Sequence, residues 1–479
     1  MFLCGKHNLE NLRIGGYFVE GILNGIKAIN DQINGFVWGP VMLVFLVSTG
    51  IFFSIGTGFF QVRKFGLWIS ETLLGIFHNK HVHNKKEKGS ISQFQAMTTA
   101  LAGTIGTGNI VGVATAMVAG GPGAVFWMWV SAFFGMMTAF AENVLGSKFR
   151  YKNEKGEWVG GAMVYIERGL GWKPLAVAFS VFAILASFGL GNMTQANGIS
   201  SALHSSFGIP TWAVGIALML IIALVILGGI NRIAAVTEKL VPFMALLYIV
   251  GGLVIIGMNY QAVPAAFSAI FQSAFDFRSV GGGIMGYGIA RAMRYGIARG
   301  IFSNEAGLGS SVMVNSASNV KEPVKQGMWG VFEVFTDTLV VCTISALSIL
   351  TTGAMSSGKD GAALAMEAFT GGFGSFGSIF LSIAITLFAF STILGWSYYG
   401  ERAFEYLFGL KYVGIYKAVF ICLTIVGCVA GLELVWDISD TFNGLMAIPN
   451  LIGILFLSPH VFRESRSYLE RRKRGEIEE

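Results

Sequence analysis

Apolar runs of roughly 20 or more residues recur along this chain, each long enough as a helix to cross ~30 Å of hydrocarbon. Eleven can be read, near 36–60, 92–119, 122–148, 174–204, 210–229, 234–258, 281–302, 324–352, 374–400, 412–431 and 438–459. In lipid every backbone N–H and C=O must find an internal partner, so only helices and closed barrels span. Barrel strands are about 10 residues long with alternating polarity; these runs are longer and do not alternate. The expected fold is all-α, a polytopic membrane bundle of about eleven transmembrane helices. Charged residues make up 13% of the chain, about half the ~25% of a soluble domain, and the mean hydropathy is +0.64. Glycine, at 64 of 479 residues, lets membrane helices approach closely. The opening "MFLCGKHNLENL" lacks an apolar core, so no cleavable signal peptide is expected.

Orientation follows from the basic residues, because cytoplasmic loops collect Lys and Arg. Segment 61–91 holds Arg63, Lys64, Lys80, Lys85, Lys86 and Lys88; segment 148–173 holds Lys148, Arg150, Lys152, Lys155, Arg168 and Lys173. The tail holds Arg463, Arg466, Arg471, Arg472, Lys473 and Arg474, and smaller loops add Arg232, Lys239, Lys321, Lys325, Arg402 and Lys411. The opposite side has only Lys6, Arg13, Lys27, Arg278 and Lys359. An odd number of spans with the amino terminus outside and the carboxyl terminus in the cytoplasm of a cell-membrane protein is the expectation. This distribution also accounts for the net charge of +6 without nucleic acid as a partner. Before the first span, Phe18, Val19, Ile22, Leu23, Ile26, Ile29 and Ile33 share one helical face in a segment too polar to cross, which reads as an interfacial helix.

One span carries a contradiction. In "ALAGTIGTGNIVGVATAMVAGGPG", residues 100–123, Gly103, Gly106, Gly108 and Gly112 interrupt an uncharged run, with Thr104, Thr107 and Asn109 between them. Each glycine weakens a helix by roughly 1 kcal/mol, so a break between Gly103 and Asn109 is predicted. A break frees carbonyls that hold a hard cation such as sodium, and frees N–H groups at the next half-helix that hold a carboxylate. Close helix packing through Gly108 and Gly112 is the alternative, but it leaves the two threonines and the asparagine without a purpose. A second interruption is expected at "RYGIARGIFSNEAGLGSS", residues 294–311, punctuated by Gly296, Gly300, Gly307 and Gly309. The two breaks fall in the second and seventh spans, five apart. Broken helices at equivalent places in two five-helix halves mark an inverted-repeat transporter. The halves are placed at 92–258 and 259–459, preceded by segment 1–35 and by one extra helix with its basic loop, 36–91, and followed by the tail 460–479.

The segments "GTIGTGNIVGVATAMVAGGPGAVFWMW", "FSNEAGLGS" and "STILGWSYYGE" resemble those of the alanine/glycine:cation symporter family, and the resemblance extends from about Phe94 to Pro459. It implies a LeuT-type five-plus-five fold, sodium as coupling ion and alanine or glycine as substrate. It also implies roles. The Gly108 N–H meets the substrate carboxylate, with Thr104, Thr107 and Asn109 beside it. Carbonyls of Gly103 and Ile105 face sodium, and Ser391 and Thr392 complete that site. Trp396 closes a pocket sized for a methyl group or hydrogen. Gln195 meets the ammonium group, with Asn192 near it, and Gly300 and Phe302 contribute from the second interruption. Plainer alternatives stand beside these roles: Ser391 and Thr392 bonding a carbonyl one turn back, Trp396 anchoring at an interface, and Gln195 and Asn197 joining helices.

Glu333 and Asp337 lie four apart on one helix face inside a span, where charge is costly and paired or functional. Arg291, Arg294 and Arg299 are candidate partners for a structural ion pair; gating or proton coupling is the other reading. Glu142 reads as interfacial. His78, His81 and His83 sit among lysines without further ligands at metal spacing and read as a solvated loop. Cys342, Cys422 and Cys428 lie in apolar runs as packing residues. No phosphate-binding GxxxxGK[ST], HExxH or Ser/His arrangement occurs in the spans, so an enzyme is not expected. The function expected is secondary active transport, with sodium and a small neutral amino acid as partners of a monomeric carrier. Proton-coupled transport of another small amino acid, or a channel, are the alternatives.

Overall fold

The computed structural model describes residues 24–84, 89–275, 285–430 and 433–477, and these are almost entirely helical. The principal helices are, in chain order, α1 (Pro40–Gly56), α2 (Gln93–Thr104) with α3 (Val111–Gly120), α4 (Gly123–Phe149), α5 (Lys173–Phe207), α6 (Thr211–Ile226) and α7 (Gly229–Met258). They continue with α8 (Met285–Asn304), α9 (Pro323–Thr351), α10 (Ser375–Phe408), α11 (Val413–Val429) and α12 (Glu433–Phe456). Among the described residues seven helices are long and apolar enough to span, or eight with the bent pair at the carboxyl end. The remaining expected crossings miss that criterion for identifiable reasons. The second is broken into α2 and α3, α6 is a short apolar helix, and α8 carries Arg291, Arg294 and Arg299.

Local chemistry sets several boundaries. A reciprocal Ser92–Gln95 capping box opens α2, with Gln95 N to Ser92 Oγ at 3.1 Å and Ser92 N to Gln95 Oε1 at 3.3 Å. Pro122 precedes α4 and Pro323 opens α9, where a missing N–H costs nothing. Two π-helical turns interrupt otherwise regular spans, Gly189–Met193 in α5 and Phe335–Cys342 in α9. Such turns re-aim the side chains that follow and recur at functional sites.

The tail helix α13 (Ser458–Lys473) packs against the end of the bundle that also carries the short helical pieces between Phe60 and His83. On this tail face Arg471 and Glu322 are 2.6 Å apart, Lys325 and Glu71 3.3 Å, and Lys148 and Glu464 2.5 Å. A two-stranded hairpin, β1 (Tyr151–Lys152) with β2 (Trp158–Val159), lies between α4 and α5.

Several expectations need adjusting. The interfacial helix expected at 18–33 begins outside the described residues; from residue 24 it runs as a helix to 37 and turns at Trp38 and Gly39 into α1. It is fastened to α12, with Asn34 Nδ2 to Thr441 Oγ1 at 3.0 Å and Trp38 Nε1 to the Asp440 carbonyl at 3.1 Å. Helix α10 extends to Phe408, 34 residues or about 51 Å, so Arg402 is a helical residue rather than a loop residue. It is buried, with Glu157 and Glu401 at 3.1 Å and Glu405 at 2.7 Å. Two helices, Val263–Ala274 and Gly361–Phe373, occupy segments read as loops.

Candidate functional site

The first break is in place. Helix α2 makes its last helical hydrogen bond from Ile105 N to the Leu101 carbonyl at 2.8 Å. Ile105 then turns extended, with φ −74° and ψ 91°. The Gly106 N–H, which a continuous helix would give to Ala102, goes instead to Asn109 Oδ1 at 2.9 Å. The carbonyls of Gly103, Thr104 and Ile105 therefore lie beyond the helical ladder. The N–H groups of Thr107 and Gly108 open the following turn, where no earlier carbonyl is in register.

Asn109 locks this geometry to the rest of the bundle. Its Nδ2 donates to Asp337 Oδ1 at 2.6 Å, and its backbone carbonyl accepts from Ser345 Oγ at 2.7 Å. Asp337, fully buried on the π-turn of α9, also accepts from Ser303 Oγ at 2.8 Å and Thr338 Oγ1 at 2.7 Å. Asn304 Nδ2 reaches Thr338 Oγ1 at 3.0 Å. One carboxylate thus ties the break between α2 and α3 to the end of α8. The partners of Asp337 are these amide and hydroxyl groups rather than the expected arginines; Arg299 interacts with Asp440 and stacks over Phe302 at 5.3 Å.

The second break begins later than expected. Helix α8 runs through Gly296 and Gly300 to Asn304, and the chain leaves it at Glu305. Glu305 has a left-handed φ of 57°, rare for a residue with a Cβ. The loop 305–311 is held by buried side chains. Glu142 Oε1 accepts from Gly309 N at 3.1 Å and from Asn450 Nδ2 at 2.5 Å, while Asn450 Nδ2 also reaches the Gly307 carbonyl at 2.9 Å. Glu142 is thus no interfacial residue: the chain after α8 folds over it and leaves it 2% exposed. Glu305 accepts from Ser310 Oγ at 2.5 Å, and the Trp396 indole lies on the same side of the loop.

The expected site residues divide into those brought together and those that are not. A methyl built on Gly106 would stand 2.5 Å from Thr392 Oγ1, so the break and the α10 hydroxyl are in contact. Thr392 donates to the Phe388 carbonyl at 3.0 Å and Ser391 to the same carbonyl at 2.8 Å, leaving both oxygens with free lone pairs. Phe302 faces Gly108, with its ring 3.4 Å from a methyl built there. Thr107 Oγ1 donates to Gln195 Oε1 at 3.1 Å, which brings α5 to the break. Thr104 is buried and bonds back to Ala100 at 3.4 Å. Trp396 is buried, packs on Gly191, and meets Tyr399 edge-on at 5.5 Å.

Two residues face away. Gly300 packs on α4, where a built methyl would meet Ser131 Oγ at 2.6 Å. Asn192 bonds α11 instead, its Nδ2 to the Phe420 carbonyl at 2.5 Å and its Oδ1 to Thr424 Oγ1 at 3.1 Å. Sequence reasoning missed the structural roles of Ser303, Asn304, Ser345 and Tyr248, which meets Ser345 Oγ at 2.7 Å. Their only signal was polarity inside apolar spans.

A helical membrane bundle whose second span breaks at its middle against hydroxyls of a distant helix defines a secondary transporter of LeuT-type architecture. The crystal structure of MhsT in complex with L-phenylalanine aligns over 79% of this chain and 99% of its own with a TM-score of 0.54; at 13% identity the likeness is one of fold. Residues 23–479 match the sodium:alanine symporter family, and the chain belongs to it. A sodium/alanine symporter of Methanococcus maripaludis is 45% identical over 451 residues, covering 92% of this chain and 97% of that one. An uncharacterised transporter of Haemophilus influenzae is 44% identical over 451 residues, covering 94% of this chain and 97% of that one. The protein is a multi-pass membrane transporter and not an enzyme.

Proposed function

We propose that this protein carries a small neutral amino acid, alanine or glycine, into the cell together with sodium. The observation that carries the reading is the contact between the break at Gly106 and Thr392 Oγ1. It sets carbonyls freed from a helix beside hydroxyls with spare lone pairs, the all-oxygen surroundings a hard cation takes. In this reading Gly103 and Ile105 carbonyls with Ser391 and Thr392 hold sodium. The Gly108 N–H, at the positive end of α3, takes the substrate carboxylate. Thr104, Thr107 and Asn109 border the carboxylate, Gln195 lies within reach of the ammonium group, and Phe302 and Trp396 enclose the side chain. A pocket closed by two aromatic rings disfavours each extra methylene through overpacking, worth about 1–3 kcal/mol.

The tail face is cytoplasmic in this reading, since it collects the basic residues, and the protein resides in the cell membrane as a monomer. Residues 92–258 and 259–459 form the two inverted halves, and sodium and substrate enter from the face opposite the tail. Labelled alanine uptake into proteoliposomes, with and without an inward sodium gradient, tests the proposal. Uptake that requires sodium, survives proton uncouplers and is inhibited by glycine supports it; uptake indifferent to sodium overturns the ion site.

A further inference from the structure

A second polar system lies on the tail side of this site. Glu333 stands on α9 ten residues from Pro323, about 15 Å along the helix and so deep within a ~30 Å bilayer. It is 3% exposed. Its Oε2 accepts from Asn315 Nδ2 at 3.1 Å, and its Oε1 has no partner. Asn143 of α4 lies over Gly330, one turn before Glu333, with its Nδ2 2.4 Å from where a methyl on Gly330 would sit. Asn143 is 1% exposed and both its Oδ1 and its Nδ2 are unpartnered. Unpartnered polar atoms at such depth are expensive, and here they lie within about one helical turn of each other along α9.

The carboxylate is also connected. Ser318 Oγ, in the tail-face loop, donates to Gln326 Oε1 at 2.7 Å; Gln326 Nε2 donates to Asn315 Oδ1 at 2.7 Å; and Asn315 bonds Glu333. On the far side the Glu305 carboxyl bears on Glu333 electrostatically, with the Trp396 indole beyond it. A thread of hydrogen-bonded polar groups therefore runs from the tail-face loop to Glu333, where the bonds end with Oε1 unpartnered. The charged and titratable groups that face Glu333 are Glu305 of the second break, Glu142 of α4 and Tyr399 of α10, with Asp337 one turn on along α9. All are acidic. Among the described residues no ion pair reaches Glu333: Lys325 pairs with Glu71 at 3.3 Å, Arg402 with Glu157 at 3.1 Å, and Arg150 of the hairpin entrance donates to the Ser316 carbonyl at 3.0 Å.

An ionised carboxylate in hydrocarbon, next to other acids and without a cation, is the costliest state such a group can take. We propose that Glu333 is a proton-binding group of the transport cycle, carrying a proton while α4 and α9 are closed over it and releasing it to the cytoplasm when they part. The inference rests on the transport reading for its direction. Its chemistry balances without a further reactant: the carboxylate takes one proton from water and returns the same one. Closing is then favoured at low internal pH and weakened as internal pH rises.

Two measurements test it. In proteoliposomes, sodium-driven uptake by the wild type slows several-fold as internal pH is raised across the neutral range, whereas Glu333→Gln, a permanently neutral isostere, transports with a flat pH profile. Glu333→Asp keeps a titrating group and moves the midpoint rather than abolishing the dependence, so it serves if the Gln variant does not fold. Identical pH profiles for wild type and Gln variant overturn the proposal, as does a pH-independent loss of sodium cooperativity, which would make the site a sodium site. Infrared difference spectra of the purified protein need no transport. Wild type minus Glu333→Gln should contain a carboxylic-acid carbonyl band at neutral pH, and carboxylate bands alone would overturn the proposal even if sodium-driven uptake itself failed.

Discussion

Asn109 Nδ2 and Asp337 Oδ1 lie 2.6 Å apart, and this bond joins the break in one span to the π-turn of another. Asn109 also accepts the Gly106 N–H through its Oδ1, so a single side chain both opens the helix and moors the opening.

Replacing Asn109 by Ala removes both bonds. A hydrogen bond to a charged group contributes about 1.5–3 kcal/mol, so initial uptake should fall at least about tenfold. Asp337→Asn, whose remaining oxygen still accepts from Ser303 or Thr338, should lose less than Asp337→Ala. Uptake rates normalised to membrane expression check this order.

Thr392→Ala deletes the hydroxyl that touches the break. The sodium concentration for half-maximal uptake should rise about tenfold, roughly the 1.4 kcal/mol of one lost ligand. The alanine KM at saturating sodium should stay within about twofold. Thr392→Ser keeps the oxygen and should behave like the parent. A sodium titration at fixed substrate separates these cases.

Trp396→Ala should widen the substrate range, so that valine or leucine competes with alanine where it did not before. Trp396→Phe keeps most of the ring but loses the indole N–H; it should retain small-substrate selectivity and transport more slowly. Competition assays against labelled alanine give both answers.

Gly395 and Gly108 should separate stability from function. A methyl on Gly395 would lie 2.7 Å from the Gly103 backbone nitrogen, and backbone cannot yield. Gly395→Ala should cost about 1–3 kcal/mol and lower the melting temperature in detergent. At Gly108 the nearest atom is 3.4 Å away on the Phe302 ring. Gly108→Ala should therefore leave the melting temperature nearly unchanged and impair alanine uptake, because in the proposed site the added methyl would stand where the carboxylate approaches. Thermal unfolding and uptake measured on the same preparations decide.

The membrane bundle and the break at Gly103–Asn109 were legible in the sequence because both are local. A run of apolar residues commits a segment to lipid whatever surrounds it, and clustered glycines weaken a helix wherever it packs. The second break was placed too early for a related reason. Gly296 and Gly300 read as breakers, but α4 fills the space beside them, with Ala124 and Ser131 at their surfaces, so they serve close packing and the helix continues. Partners were the part that tertiary structure alone decided. Asn192 and Gln195 look alike in sequence, yet the π-turn at Gly189–Met193 leaves one bonded to α11 and the other to Thr107. Glu142, Glu305, Glu333 and Asp337 could be seen to be costly inside a membrane. Which of them holds a loop, which joins two broken spans and which keeps an oxygen unpartnered depends on helices up to three hundred residues apart meeting in space. No local propensity encodes that meeting, because it is fixed by packing between whole helices.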